Sequence, residues 1–265
     1  MATNWGNYRD YNGAARHIPG SSPSVHVRDA RLTLLDRLVP GLFEAKACLD
    51  IGCNAGAVSC QLAFDFRAAS VTGVDIDIER IKQAQNLLQL RSSRVRPTTE
   101  DFTHEVDYFP ISAVLEHGYR FEELKLAGGN RQREEMAAPA SSMVTRVKFV
   151  SEDWTAIPAA SDSFDVILAL SVVKWIHLEH CDGGLVLFFA KCSSSLVTGG
   201  YLVLEVQPWS SYEKAVQKAP HFSKSFGTLT FRPETSFTDL LKQQGFDLCI
   251  TSEALPRRIL VYRKC

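Results

Sequence analysis

Short apolar runs recur along the chain, separated by turn residues and by stretches whose apolar positions return every three or four residues. Ala47–Ile51, Ser70–Asp75, residues 147–150, Phe164–Leu170 and residues 201–206 read as strands, and the apolar run 164–170 suits a strand buried on both faces. Between them the pattern predicts helices over 56–66, over 78–90 with Asp77 as N-cap, and over 184–196, ending at Gly199-Gly200. A further helix is expected over 236–244, stopped by Gly245. The last two runs, Phe246–Ser252 and 258–262, flank a turn around Pro256 and predict an antiparallel hairpin. The alternation of strand and helix predicts a Rossmann-like α/β fold: a mostly parallel seven-stranded sheet closed by an antiparallel C-terminal hairpin.

Two segments break this rhythm. Residues 91–146 read as an insertion, and their stretch 127–142, rich in Gly, Ala, Ser and charge, as a mobile loop. Residues 208–232 read as irregular, with Lys214, Lys218 and Lys224 either following a phosphate backbone or lining a solvated helix face. Segment 210–225 is expected to be mobile alone and ordered by RNA.

Charge narrows the partners. The formal net charge is −1 with no long basic run, which argues against a protein gripping long duplexes and leaves local contact with an end or loop. Seven cysteines are scattered without a C-x-x-C pair, the usage of reduced, buried thiols and not of a zinc site, so no metal is expected. No run is long and apolar enough to cross a bilayer, and the polar N-terminus lacks a secretory core, so no membrane role is expected.

Asp50-Ile51-Gly52-Cys53-Asn54-Ala55-Gly56 places a carboxylate at a strand end and a glycine turn ahead of a helix. Gly73-Val74-Asp75-Ile76-Asp77 ends the next strand with an acid able to accept ribose hydroxyls. The spacing lacks the G-x-G-x-x-G of pyrophosphate binders, which disfavours a nicotinamide oxidoreductase. It resembles the D-x-G-x-G-x-G turn of class I methyltransferases, with Asn54 at the central glycine position. Glu152-Asp153-Trp154 after the third strand and Gly199-Gly200 before the fifth are further marks of that class.

At the carboxyl ends of the fourth and fifth strands come Leu170-Ser171-Val172-Val173-Lys174-Trp175-Ile176-His177-Leu178 and Glu205-Val206-Gln207-Pro208-Trp209-Ser210-Ser211-Tyr212. Their cations, glutamine and tryptophans suit an anionic acceptor beside a stacked base; the alternative is that the tryptophans pack and Lys174 is a solvated helix start. With Gly6-Asn7-Tyr8, Tyr11 and the segment from Asp50 to Gly56, these stretches resemble the bicoid-interacting family of RNA 5′-phosphate methyltransferases, nearest its methylphosphate-capping branch. The resemblance runs from about Trp5 to the C-terminus, apart from most of 91–146.

That resemblance implies one methyltransferase domain over 1–265, with segment 1–40 covering substrate and cofactor, and S-adenosyl-L-methionine as cofactor. Arg31 would meet the methionine carboxylate, Asp50, Gly52, Cys53 and Asn54 would form the turn, and Asp75 and Ile76 would hold the ribose. Asp153 and Trp154 would border the adenine, with Leu170 lining the pocket. The acceptor phosphate would meet Tyr11, Arg16, Lys174 and His177, between Gln207 and Trp209. The implied partner is RNA with a 5′ phosphate, a small nuclear RNA in the nucleus, together with other proteins of its ribonucleoprotein. Lysine at position 174, where the monophosphate branch carries methionine, implies a triphosphate end and methylation of its γ-phosphate. A monophosphate acceptor and a non-catalytic RNA-binding scaffold are the alternatives. An amine N-methyltransferase is disfavoured, because Gln207-Pro208-Trp209 follows the fifth strand and the related amine-binding motif follows the fourth.

Overall fold

The computed structural model describes residues 29–92, 146–158 and 161–265. Tyr11, Arg16, the rest of segment 1–28 and residues 93–145 of the insertion lie outside the described residues. The elements, in chain order, are α1 (Ala30–Leu38), β1 (Ala47–Ile51), α2 (Ala57–Phe64), β2 (Ser70–Asp75), α3 (Ile78–Ser92), β3 (Val147–Ser151) and β4 (Phe164–Leu170). They continue with α4 (Val173–Ser195), β5 (Leu196–Val206), α5 (Trp209–Lys218), a 3-10 turn (Pro220–Phe222), α6 (Ser223–Thr228), α7 (Phe237–Gln243), β6 (Phe246–Ser252) and β7 (Arg258–Lys264).

The strands form one seven-stranded sheet, as the apolar pattern predicts, and their order is β3-β2-β1-β4-β5-β7-β6. β3, β2, β1, β4 and β5 run parallel; β7 is antiparallel to both β5 and β6. The order reverses between β1 and β4, and at such a switch point the helices leave a crevice outside the carboxyl ends of the strands.

Strand period sorts the core. Cys48, Val71, Val166, Leu168, Val203 and Val261 join the cluster that takes in Leu32 and Leu35 of α1, Leu62 of α2 and Ile81 of α3. Their alternates Leu49, Val74, Ile167, Leu202, Leu204 and Leu260 pack with Phe188 and Phe189 of α4 and Phe237 and Leu241 of α7. At about 1.5–3 kcal/mol for each large apolar side chain buried, these two layers carry most of the favourable energy of the fold.

Three expectations need correction. The helix expected over 184–196 begins at Val173 and is kinked at Cys181 (φ 55°, ψ −168°), so the stretch carrying Lys174 and His177 is helical. β5 begins at Leu196, and Gly199-Gly200 is not a break before it: Leu196 already pairs with Phe164, and the register slips between there and Tyr201. Residues 208–232 are not irregular but mainly helical, and Tyr212, Ala215, Phe222 and Leu229 bury themselves against Leu178 of α4. Tyr212 and Ala215 lie on one face of α5 at helical spacing, while Lys214, Lys218 and Lys224 are exposed.

Candidate active site

The glycine turn is built by backbone conformation. After β1 the chain takes left-handed φ values at Gly52 (74°), Asn54 (52°) and Gly56 (77°), which explains two of the glycines and the tolerated asparagine. The Asp75 carboxylate staples this turn to the end of β2: its oxygens accept the N–H of Asn54 at 2.8 Å and of Asp77 at 2.9 Å. Burial raises the Asp75 pKa, and these two bonds work against it. Each carboxylate oxygen has a second lone pair, so acceptor capacity remains for a ribose. Ile76 and Asp77 are half-buried beside it, and Asp77 caps α3 through the Glu79 N–H at 3.0 Å, as the sequence predicts.

Asp50 faces inward. It is 2% exposed and accepts the Ser59 hydroxyl at 2.6 Å, and burial pushes its pKa up to about 6. Cys53 is buried, with its N–H on the Val74 carbonyl at 3.0 Å. A Cβ at Gly52 would lie 2.7 Å from Cγ2 of Val172, so the turn rests directly on the residue that precedes α4.

Asp153 is half-buried and closes a turn by accepting the N–H and hydroxyl of Thr155 at 2.9 and 2.6 Å, with His180 Nε2 at 3.6 Å. Trp154, expected to border an adenine, instead joins the core: it is buried edge-to-face on Phe188 at 5.7 Å, with the Lys191 ammonium 4.3 Å from its ring. Lys191 also donates to the Trp154 and Ile157 carbonyls, which fixes the loop with the indole turned inward. Leu170 is buried at the end of β4.

On the acceptor side, Lys174 is no solvated helix start. It is buried; its Nζ donates to Ser211 Oγ at 3.0 Å and to the Ser211 carbonyl at 3.4 Å, and lies 4.4 Å from the Trp175 ring. Burial, aided by the charges of Arg257 and Lys218, pushes its pKa down to about 8.

His177, expected to touch the phosphate, is fully buried, and both ring nitrogens are engaged. Nε2 lies 2.8 Å from Asp182 Oδ1 and Nδ1 3.3 Å from the Tyr212 hydroxyl. Burial lowers its pKa, Asp182 opposing, so the neutral ring donates from Nε2 and accepts from Tyr212. His177 therefore braces α4 against α5. Trp209 is likewise filled by protein: it stacks between Tyr212 (5.0 Å) and Phe226 (4.8 Å), with the Arg232 guanidinium 3.7 Å from its ring. Gln207 is buried, and its Oε1 has no hydrogen-bond partner among the described residues.

Arg31 is buried in a network the sequence did not reveal. Its Nε and Nη2 donate to Asp29 at 2.9 and 2.6 Å, and its Nη1 to Glu205 Oε2 at 2.9 Å. Ser171, at φ 64°, also donates to Glu205 Oε2, and Arg257 Nη1 donates to Ser171 Oγ at 2.5 Å while standing 3.7 Å from that carboxylate oxygen. Glu205 carried one legible signal, an acid inside the apolar β5. Arg257, a turn residue, carried none.

Comparison with known proteins follows the same lines. The family model described as Bicoid-interacting protein 3 matches residues 164–264. A probable RNA methyltransferase of Arabidopsis thaliana is 32% identical over 269 residues, covering 98% of this chain and 80% of its own length. The U6 snRNA methylphosphate capping enzyme Amus of Drosophila melanogaster is 30% identical, with 89% of this chain and 64% of that protein covered. The 7SK snRNA methylphosphate capping enzyme of Homo sapiens is also 30% identical, over 87% of this chain but 34% of its own length. Among solved structures, an S-adenosylmethionine-dependent methyltransferase of Mesorhizobium loti superposes with a TM-score of 0.51 at 13% identity, covering 89% of this chain and 98% of that one. The N-methyltransferase NodS of Bradyrhizobium japonicum, in complex with S-adenosyl-L-homocysteine, gives 0.50 at 14% identity, over 88% and 85%. These structural likenesses establish the methyltransferase fold.

Proposed function

The chain belongs to the Bicoid-interacting protein 3 family, and on that premise we propose that it is an S-adenosyl-L-methionine-dependent RNA methyltransferase acting on the 5′-terminal phosphate of a small nuclear RNA, with the γ-phosphate of a triphosphate end as acceptor. The nucleus is the corresponding site of action. The observation that carries this reading is the meeting of two half-sites. The glycine turn of β1 abuts Val172, and two residues on, the Lys174 ammonium is held by Ser211.

The cofactor fits the residues present. A left-handed turn lets backbone approach a ligand closely, and Asp75 offers acceptor capacity at the end of β2. Gly52, Cys53, Asn54, Asp75, Ile76 and Asp153 would hold it, with Leu170 behind. Arg31 would serve its carboxylate end only in concert with Asp29 and Glu205, which already engage the guanidinium. When bound, the cofactor supplies an electrophilic methyl carbon on a sulfonium. The protein's share is then to orient and desolvate, and positioning alone can contribute about 7–11 kcal/mol. A terminal phosphate with its second pKa near 6 is already largely dianionic at neutral pH, so no general base is needed. That accords with a His177 engaged on both nitrogens. Lys174 would hold the phosphate by a charge-assisted hydrogen bond.

The test is methyl transfer from labelled cofactor to matched RNAs ending in triphosphate, monophosphate or hydroxyl, with mass analysis of the 5′ nucleotide. A methyl group on the terminal phosphate of triphosphate RNA is expected; a methyl on base or ribose would sink the phosphate assignment.

A further inference from the structure

We propose that Ser211 is a positioning residue of the acceptor site: through two neutral oxygens it aims the Lys174 ammonium at the terminal phosphate and leaves that charge whole for the anion. The inference rests on the reading above and deepens it. Helix packing supplies the placement. Lys174 and His177 stand three residues apart on one face of α4, and Ser211 and Tyr212 are neighbours at the start of α5. Two rungs therefore join the helices, Lys174 to Ser211 and His177 to Tyr212.

The second rung is closed to solvent. His177 and Tyr212 are both buried, and their rings meet edge-to-face at 5.6 Å. It fixes where α5 lies, and Ser211 is carried one residue before it. The Ser211 N–H is engaged by the Pro208 carbonyl at 2.8 Å, so the two oxygens of the residue are what it offers to Lys174.

A cation is poorly served by this place in the fold. Lys174 is buried, and as the second residue of α4 it sits where the helix macrodipole favours an anion. Its hydrogen-bond partners among the described residues are both on Ser211, Oγ at 3.0 Å and the carbonyl at 3.4 Å. An ammonium has three donors, so one N–H remains once these oxygens are engaged. Uncharged acceptors fix the direction of that third N–H without cancelling the charge behind it. A carboxylate in the same place would hold the ammonium more tightly, but it would also compete with a phosphate and repel it.

The test uses the full chain with S-adenosylhomocysteine and two measurements. One is binding of single-stranded RNAs of one sequence ending in triphosphate or hydroxyl. The other, without RNA, is the NMR titration of Lys174 in protein carrying isotope-labelled lysine, its signal assigned by its loss in Lys174→Gln. An acceptor favours the charged form of the ammonium, so removing the hydroxyl must lower the midpoint. In Ser211→Ala the midpoint should fall by about one pH unit, and the preference for the triphosphate end by about tenfold. Ser211→Thr, which keeps the hydroxyl, should match wild type in both. Ser211→Asp should separate the two readouts: the midpoint rises while the preference falls, again about tenfold. Should the alanine variant not fold, the aspartate variant decides alone.

An unmoved midpoint in folded Ser211→Ala, with only the melting temperature lowered, would make Ser211 a packing residue and overturn the inference. So would a triphosphate preference retained in folded Ser211→Ala or Ser211→Asp. No such preference in wild type overturns it together with the reading above. Methyl transfer by wild type is scored separately: a preference that depends on Ser211, without transfer, would leave this inference standing and remove the enzymatic reading.

Discussion

Replacing Asp182 with alanine tests how the acceptor wall is held. Asp182 follows the kink at Cys181, and its side chain is about one-fifth exposed (21%). Oδ1 accepts His177 Nε2 at 2.8 Å and the Phe231 N–H at 3.3 Å; Oδ2 accepts the N–H and hydroxyl of Thr230 at 2.8 and 2.5 Å. In Asp182→Ala the Thr230 groups, which are exposed, can turn to water. His177 cannot, and an unpartnered buried donor costs about 1–3 kcal/mol on top of the charged bond lost, of similar size. A loss of about 3 kcal/mol is therefore expected, which at about 2–4 °C per kcal/mol lowers the Tm by roughly 6–12 °C.

The sign with pH is set by the carboxyl. Burial would raise its pKa, but the hydrogen bonds from Thr230 and His177 outweigh burial and hold it below the usual carboxylate range. Its stabilisation is thus complete above the unfolded value near 4 and fades as pH falls through the lower folded value, so wild type and variant should converge in acid. Calorimetric melts across pH 3–8 give both quantities. A double-mutant cycle with His177→Leu should show a coupling of at least about 1 kcal/mol. A Tm drop under 2 °C, or strict additivity, would refute the view of Asp182 and His177 as one brace.

Asp75→Ala should weaken S-adenosylhomocysteine binding by about 10- to 150-fold and lower the Tm, since it strands the Asn54 and Asp77 N–H groups as well; unchanged calorimetric affinity in a folded variant removes Asp75 from the site. Gly52→Ala sets a Cβ at positive φ (74°) 2.7 Å from Val172 Cγ2, so thermal unfolding should show about 1–3 kcal/mol lost; an unchanged melt would mean that the turn and Val172 are not in contact. With a pKa of about 8, Lys174 is mostly charged at neutral pH and mostly neutral a unit above its pKa. Affinity for 5′-triphosphate RNA should accordingly fall as pH rises through that range, the bound anion shifting the midpoint upward, and Lys174→Gln should flatten the profile; a flat wild-type profile from pH 7 to 9 contradicts the role given to Lys174.

Most of the fold was legible in the chain. Ala47–Ile51, Ser70–Asp75, Phe164–Leu170 and Phe246–Ser252 stand where their apolar runs predict, because a strand's burial on one or both faces is written in consecutive residues. The glycine turn was legible for the same reason, since left-handed backbone demands particular residues at Gly52 and Gly56. Helical 208–232 was misjudged because its apolar positions have no partner until Leu178 of α4 covers them. Residue type likewise could not say which way a side chain turns. Trp154 and Trp209 read as ligand walls and are occupied by Phe188 and by Tyr212 and Phe226; His177 read as a phosphate contact and is held by Asp182. The polar network at the sheet edge was least visible, for its bonds span 174 positions from Arg31 to Glu205 and 86 from Ser171 to Arg257. Local pattern encodes which residues are buried and which backbone shapes are allowed. Only the packed sheet, with β7 set antiparallel beside β5, decides which distant charges meet.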